Sequence, residues 1–378
     1  MKIGITCYPT FGGSGIVATE LGQELAARGH QVHFISYANP IRLDTESERI
    51  HYHEVEVTTY PLFQFPPYTL ALASRMAEVA ECYGLDLLHV HYAIPHSVSA
   101  ELARQMLAPR RRLPVVTTLH GTDITLVGAD RSYFPITRFS IEQSDGLTAV
   151  SEYLRQRTIE VFGIEKPVEV IHNFVNCELY KPLAEKRRSR KTLIHISNFR
   201  PVKQPLDCIR ILERVIETVD AELLMVGDGP ERGPAEMLTR ELGLEQYVDF
   251  MGKQGRIERL LPHADVLLLP SQLEAFGLAA LEAMACGVPP VATRTGGLPE
   301  VITAGVDGFL EEAGDIEAMA ARVLELFTDA ERYRRMSTAA RRTAVERFSS
   351  SLVIPRYEAF YARVLSRGTA VRPPTVQL

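Results

Sequence analysis

The chain has 378 residues, 46% hydrophobic and 23% charged, with a net charge of −6. That length exceeds one ordinary core and predicts about two domains. The composition excludes disorder, and the absence of a stripe of clustered Lys and Arg argues against a nucleic-acid binder. No apolar run approaches the ~20 residues needed to cross a membrane. The opening Met1-Lys2-Ile3-Gly4-Ile5-Thr6-Cys7 enters a strand pattern without the apolar core of a signal peptide, so a cytoplasmic location is expected. Cys7, Cys82, Cys177, Cys208 and Cys286 show no CxxC spacing and are expected to be reduced thiols, with neither a zinc site nor a disulfide framework.

Short apolar runs at Lys2–Cys7, Gln31–Tyr37, Asp86–His91, Pro114–Leu119, Gly146–Ser151 and Val168–His172 alternate with helical patterns. Continuous apolar strands separated by helices predict a parallel sheet covered on both faces. The charge run Glu185–Lys191 is expected to be a solvated linker. The alternation restarts at Leu193–Ser197, Glu222–Val226, Val248–Met251, Val266–Pro270 and Pro290–Thr293. The prediction is therefore α/β, with a first domain over 1–184, a second over 185–351, and a C-terminal helix within 352–378 crossing back to the first. In that helix Tyr357, Phe360, Tyr361 and Val364 recur at helical spacing, a stripe expected to pack a core. Ligands of open α/β sheets bind at the carboxyl ends of strands.

The most informative segment runs from Leu268 to Pro289. A buried strand ends near Pro270, a polar loop carries Glu274, and Gly277 opens a helix that Gly287 and Pro289 stop. Glu282 lies inside that helix, whose free N–H groups and partial positive charge form a seat for phosphate. Two carboxylates flanking such a seat can accept hydrogen bonds from sugar hydroxyls. An EX7E spacing alone also fits a helix with two surface glutamates, but here it comes with the surrounding AFG, ALEAMACG and VP.

Other strand-to-helix junctions carry candidate chemistry. Tyr8–Gly15 is Gly-rich without being a dinucleotide fingerprint, since no GxGxxG is present. Ser197–Lys203 holds Asn198 and a cationic pair, Arg200 and Lys203, suited to neutralising a departing diphosphate. Leu119–Asp123 contains His120, and His89–His96 contains Tyr92. A metal is rejected at His89–His96, because strand alternation is expected to point its histidines apart and no carboxylate is close; no DxD-type motif is seen either. Gly227–Pro230 reads equally as a turn or a diphosphate contact, and Gly296–Glu300 as a helix-start turn.

Taken together, these motifs resemble the retaining glycosyltransferases of family 4, with a GT-B fold of two doubly wound Rossmann-like domains facing across a cleft, and the resemblance covers essentially the whole chain. It implies that Glu274 contacts the donor sugar and Glu282 the ribose, with Phe276, Gly277 and Leu278 offering backbone N–H groups. Gly13 and Ser14 would meet the diphosphate and the acceptor, His120 would lie beside the donor sugar, and Met251 beside the base. The family usually has an Arg five residues before the Lys; here Lys203 fits, but Asn198 occupies the Arg position and Arg200 is shifted by two. The opening Ile3–Pro9, Gly12–Gly15, His89–His96, Leu119–Asp123 and Ser197–Arg200 resemble one branch of the family more closely. That branch implies transfer of GlcNAc from UDP-GlcNAc to the hydroxyl of L-malate, the first step of bacillithiol biosynthesis. The acceptor contacts would be Ser14, Tyr92, Thr118, Asn198 and Arg200, with His120, Lys203 and Glu274 at the reacting centre and no metal or other cofactor. Related enzymes are often dimers or tetramers, so a homo-oligomer is compatible with the reading. A different acceptor, a non-hydrolysing UDP-GlcNAc 2-epimerase, a dehydrogenase and a non-catalytic sugar-nucleotide sensor are the alternatives.

Overall fold

A computed structural model describes residues 1–367 apart from 11, 45, 59–60, 63, 109, 126 and 184–189. The chain forms two compact units, one from Met1–Ile171 joined by the chain from Ile354, the other from His172–Val353. The expected boundary at 184/185 lies outside the described residues, and the division falls earlier for a physical reason. Residues after Ile171 pack on the second unit: Val175 bridges to Ser349, and Arg341 donates to the carbonyls of Cys177 (3.0 Å) and Tyr180 (2.7 Å). Most of the expected linker, 185–189, is likewise outside the described residues, as is the tail 368–378.

The first unit holds seven strands: β1 (Lys2–Thr6), β2 (Gln31–Ser36), β3 (Ile50–Glu54), β4 (Leu87–His91), β5 (Val115–Leu119), β6 (Gly146–Ala149) and β7 (Glu169–Val170). The second holds six: β8 (Lys191–Ser197), β9 (Ala221–Gly227), β10 (Val248–Gly252), β11 (Val266–Leu269), β12 (Pro290–Thr293) and β13 (Phe309–Glu311). Their orders are β3-β2-β1-β4-β5-β6-β7 and β10-β9-β8-β11-β12-β13. Every pairing is parallel.

The central strands are buried along their length, β4 and β5 completely, because helices cover both faces and leave no side for water. On one face of the first sheet Val90, Leu88 and Val115 pack with Leu72, Met76, Val79 and Leu107 from the flanking helices. In the second unit Leu223, Met225, Val266 and Leu268 pack with Ile209, Leu212, Met319 and Val323. The last helix, Ser350–Ser366, passes from the second unit to the first at Val353/Ile354. The expected core stripe is there: Tyr357, Phe360, Tyr361 and Val364 are all buried.

In each sheet the strand order reverses direction once, between β1 and β4 and between β8 and β11. At such a switch point the loops leave in opposite directions and open a crevice at the strand carboxyl ends. The topology thus singles out the loops after β1 and β4 in the first unit and after β8 and β11 in the second.

Candidate functional site

In the second unit the loops after β8 and β11 are bonded to each other. Asn198 and Phe199 lead into a short turn, Pro201–Lys203, whose Val202 carbonyl accepts the Gln272 N–H at 2.8 Å. Lys203 Nζ then reaches Glu274 Oε1 at 2.6 Å, and the Ser271 hydroxyl donates to the same oxygen at 2.9 Å. Both donors sit on one carboxylate oxygen, so the Glu274 carboxyl is held in one orientation. Arg200 is exposed, while Asn198 is half-buried with an Oδ1 that has no hydrogen-bond partner among the described residues.

His195, inside β8, shapes this loop from below. Its Nδ1 donates to the Leu268 carbonyl at 3.0 Å, which leaves Nε2 to accept from Ser197 Oγ at 2.8 Å, and Ser197 Oγ in turn accepts the Phe199 N–H at 3.2 Å. Burial lowers the imidazole to about 4, so the ring is neutral and its tautomer is set by the carbonyl.

The helix of the EX7E segment spans Leu278–Ala285 and is entered through Gly277 at φ 96°. Phe276 and Gly277 are buried and Leu278 half-buried. Glu282 is only 3% exposed, and its Oε1 accepts the Tyr180 hydroxyl at 2.9 Å. The carbonyls of Tyr180 and Ala285 both accept from Arg341, so this carboxylate is built into a braced interior. The Gly296–Glu300 segment does start a short helix, Leu298–Val301, but it also supports the site. Gly296 has φ 55°, a Cβ there would lie 1.8 Å from the Glu274 carbonyl oxygen, and the Gly297 N–H donates to that oxygen at 2.9 Å. No side chain fits at this approach. Met251 sits at a bulge in β10 between Phe250 and Gly252, and its carbonyl accepts the Gln254 side chain at 2.7 Å.

In the first unit the helix Gly13–Ala27 follows β1, with Gly13 exposed and Ser14 half-buried. The glycine that the turn itself requires is Gly15, where a Cβ would meet the Tyr8 carbonyl at 2.4 Å. Tyr8 stacks edge-on against Tyr92 (5.3 Å) and lies on His96 (4.5 Å), and Tyr92 stacks on His120 (5.5 Å). These rings bring the loops after β1, β4 and β5 together. His120 Nε2 is 2.8 Å from His91 Nδ1, and burial lowers the His120 ring to about 3, so it is neutral.

Two expectations for this unit are corrected. His89 and His91 are not pointed apart: residues two apart share a face of a strand, and their rings are 4.4 Å from each other. A carboxylate is also close, since Asp123 accepts the His120 N–H at 3.2 Å. Even so, among the described residues no three His, Cys, Asp or Glu side chains are arranged to hold a metal ion. Thr118 is fully buried, its hydroxyl 2.7 Å from both His89 Nε2 and Thr148 Oγ1, so it lies beneath the site surface and fixes His89. Tyr361, from the last helix, meets His89 Nδ1 at 2.8 Å.

Sequence reasoning singled out neither Ser271, His195, Tyr180 nor Asp123 for a role. Ser271 and Asp123 lay inside quoted motifs without an assignment, while His195 and Tyr180 carry no sequence signal beyond their residue type.

The geometry sets the frame for comparison with known proteins. Residues 11–179 match the model for glycosyltransferase family 4 and residues 179–343 that for glycosyl transferases group 1. The chain is 48% identical over 373 residues to N-acetyl-alpha-D-glucosaminyl L-malate synthase of Bacillus anthracis, covering 97% of each protein. This chain is a family 4 glycosyltransferase. An uncharacterized glycosyltransferase of Methanocaldococcus jannaschii is 25% identical over 326 residues, 86% of this chain and 87% of that one. Among solved structures, sucrose-phosphate synthase of Thermosynechococcus elongatus aligns at a TM-score of 0.79 with 20% identity, covering 97% of this chain and 99% of that one. HepE of Anabaena in complex with UDP-glucose aligns at 0.78 with 22% identity, covering 97% and 100%. These structures show the fold, GT-B. Family 4 membership also accounts for the two model matches abutting at residue 179, close to the division between the two compact units. Among the described residues of this glycosyltransferase, no helix is long and apolar enough to cross a membrane.

Proposed function

We propose that this glycosyltransferase moves GlcNAc from UDP-GlcNAc to the hydroxyl of L-malate with retention of the α configuration, as the first step of bacillithiol biosynthesis in the cytoplasm. The observation that carries the reading is the 48% identity over 97% of both chains to a GlcNAc–malate synthase. The Lys203–Glu274–Ser271 arrangement is consistent with it.

In this reading Glu274 presents its remaining oxygen, Oε2, to the donor sugar, while Lys203 exchanges its ion pair with Glu274 for the diphosphate. Asn198 and Gly13 also face the diphosphate, with the N–H groups of Phe276, Gly277 and Leu278 at the helix start. Glu282 takes the ribose and Met251 the base. Malate is a small dianion. Arg200 holds a carboxylate through its planar fork, with Asn198, Ser14 and Tyr92 supplying further polar contacts and Thr118 acting through His89. His120, kept neutral by burial, lies beside the sugar as a hydrogen-bonding group without charge.

The malate hydroxyl oxygen forms a bond to the anomeric carbon on the face from which UDP leaves. The bond from that carbon to the phosphate oxygen breaks, and the hydroxyl proton passes to the departing phosphate. Retaining glycosidases instead place two carboxyl groups about 5–5.5 Å apart around the sugar. No metal or other cofactor enters this scheme, and a homo-oligomer is compatible with it. The test is to incubate the protein with UDP-GlcNAc and an acceptor panel including L-malate, then identify products by mass. GlcNAc-malate formed ahead of all other products supports the proposal. Another conjugate, or conversion of UDP-GlcNAc without an acceptor, overturns it.

A further inference from the structure

One buried carboxylate has no part in the scheme above. Asp123 is 1% exposed and follows β5 by four residues, yet it bonds to two separate loops. Its Oδ1 accepts the Gly121 N–H at 2.9 Å and the His120 N–H at 3.2 Å. Its Oδ2 accepts the Ala93 N–H, in the loop after β4, at 3.0 Å. No Lys or Arg pairs with it among the described residues, so backbone N–H groups alone offset the cost of burying its charge. Burial raises its pKa to about 6 against the pull of those N–H groups, which leaves it a carboxylate at neutral pH.

The residue between the two anchors is strained. Tyr92 has φ 88°, a region that costs a bulky side chain about 1–3 kcal/mol and persists only where the surroundings hold it. The N–H of Tyr92 donates to the Thr118 carbonyl at 2.9 Å, and the following N–H, that of Ala93, is the one Asp123 captures. Both amides flanking Tyr92 are therefore tied to the β5 side, and Tyr92 lies stacked on His120.

We propose that Asp123 is the positioning residue of this half of the site: its two carboxylate oxygens tie the loop after β4 to the loop after β5 and so set Tyr92 against His120. The inference rests on the proposed transfer for its kinetic consequence but not for its geometry. A plain structural cap needs one acceptor, and Ser or Asn would serve. A bridge between two loops needs an acceptor on each side, and an amide would turn its NH2 towards one set of N–H donors.

The test is Asp123→Asn in the full chain, read in three ways beside the wild type. In the variant either the Ala93 amide or the Gly121 and His120 amides are expected to lose their acceptor and exchange faster than in the wild type, while the strand amides of β1 and β4 exchange as before. Affinity for UDP is expected to stay within 2-fold, and kcat/KM for the acceptor to fall by about 10²-fold, the loss associated with ~1 Å of misplacement. Unchanged exchange at Ala93, Gly121 and His120 alike overturns the bridge, whatever the reaction proves to be. Wild-type kinetics, or equal losses in UDP binding and turnover, overturn the positioning role. Wild type that makes no GlcNAc-malate counts against the reaction alone, because the exchange result stands without it. Should Asp123→Asn not fold, Asp123→Ser, which keeps one acceptor, replaces it; failure of both to fold assigns Asp123 to stability and overturns the proposal.

Discussion

Glu274 illustrates how much a single oxygen atom can be asked to do. Lys203 and Ser271 both donate to Oε1, which fixes the carboxyl plane and leaves Oε2 for a ligand. Removing the group takes away a contact made where charge develops, and such losses are on the order of 10²–10³ in rate. Glu274→Ala is accordingly expected to lower kcat by that factor while the thermal midpoint stays near wild type, since the side chain lies in a partly exposed loop. Turnover close to wild type in a folded variant would count against the assignment. Arg200 is exposed and makes a different prediction. Arg200→Lys keeps the charge and loses the planar fork, so the KM for malate should rise far more than that for UDP-GlcNAc. Equal rises measured in the same assay would instead indicate a phosphate contact. At this scale the sequence was legible where residue types are rare for their setting, as with the EX7E glutamates. It was silent where an ordinary residue acquires meaning from a partner far along the chain, as Tyr180 does from Glu282.

The loop Ser271–Gly277 depends on a second loop, the Gly296–Gly297 turn, whose sequence predicts a helix start alone. A Cβ at Gly296 would sit 1.8 Å from the Glu274 carbonyl, at a φ of 55°. Gly296→Ala must therefore push the Glu274 backbone aside. The expected outcome is a loss of stability of more than about 1 kcal/mol, from strain at positive φ together with the clash, and a fall in kcat exceeding that of an exposed Gly→Ala such as Gly255→Ala. Calorimetry and kinetics on the two variants check it, and matching behaviour would dissociate the turn from the site. Strands were legible to within one or two residues where both faces are buried, because such runs are apolar without interruption. β3 and β13 went unseen. Each lies at a sheet edge, β3 reads Ile-His-Tyr-His-Glu and β13 is three residues long, so neither carries a buried-strand pattern.

Across the whole molecule, buried histidines are distributed unevenly. His33, His53 and His96 are lowered to about 4 and His89 and His120 to about 3, with His91 well below its usual value, all in the first unit. In the second unit His195 is lowered to about 4. Burial is the leading cause in each. Unfolded, each ring binds a proton below about 6.5; folded, His33, His53, His96 and His195 do so only near 4, His89 and His120 near 3, and His91 well below 6.5. The stability these groups contribute is complete above about 6.5 and is lost as pH falls from there towards 4, at up to about 1.4 kcal/mol per pH unit for each proton taken up. Asp123, with its pKa raised to about 6, opposes this between about 4 and 6, but it is one group against six. Lowering pH from 7.5 to 5 should therefore unfold the first unit at a lower temperature while the second shifts less. Hydrogen exchange followed unit by unit reads this directly, and an equal or larger shift in the second unit would contradict it.

The sequence by itself determined the class of fold, the two-unit plan and the placing of Glu274 in a loop and Glu282 in the helix after it, because apolar runs, helix stops and motif spacing are properties of neighbouring residues. It also pointed, through resemblance, to family 4. Only the tertiary structure decided which atoms of those motifs are already engaged: Lys203 and Ser271 on one oxygen of Glu274, Tyr180 on Glu282, Thr118 beneath the surface, and Asp123 bridging two loops. Apart from Ser271, which lies three residues from Glu274, each of these is a contact between segments distant along the chain. The pairing of β8 with β11 sets Lys203 against Glu274, and that of β4 with β5 sets Asp123 between their loops, and no local pattern encodes either.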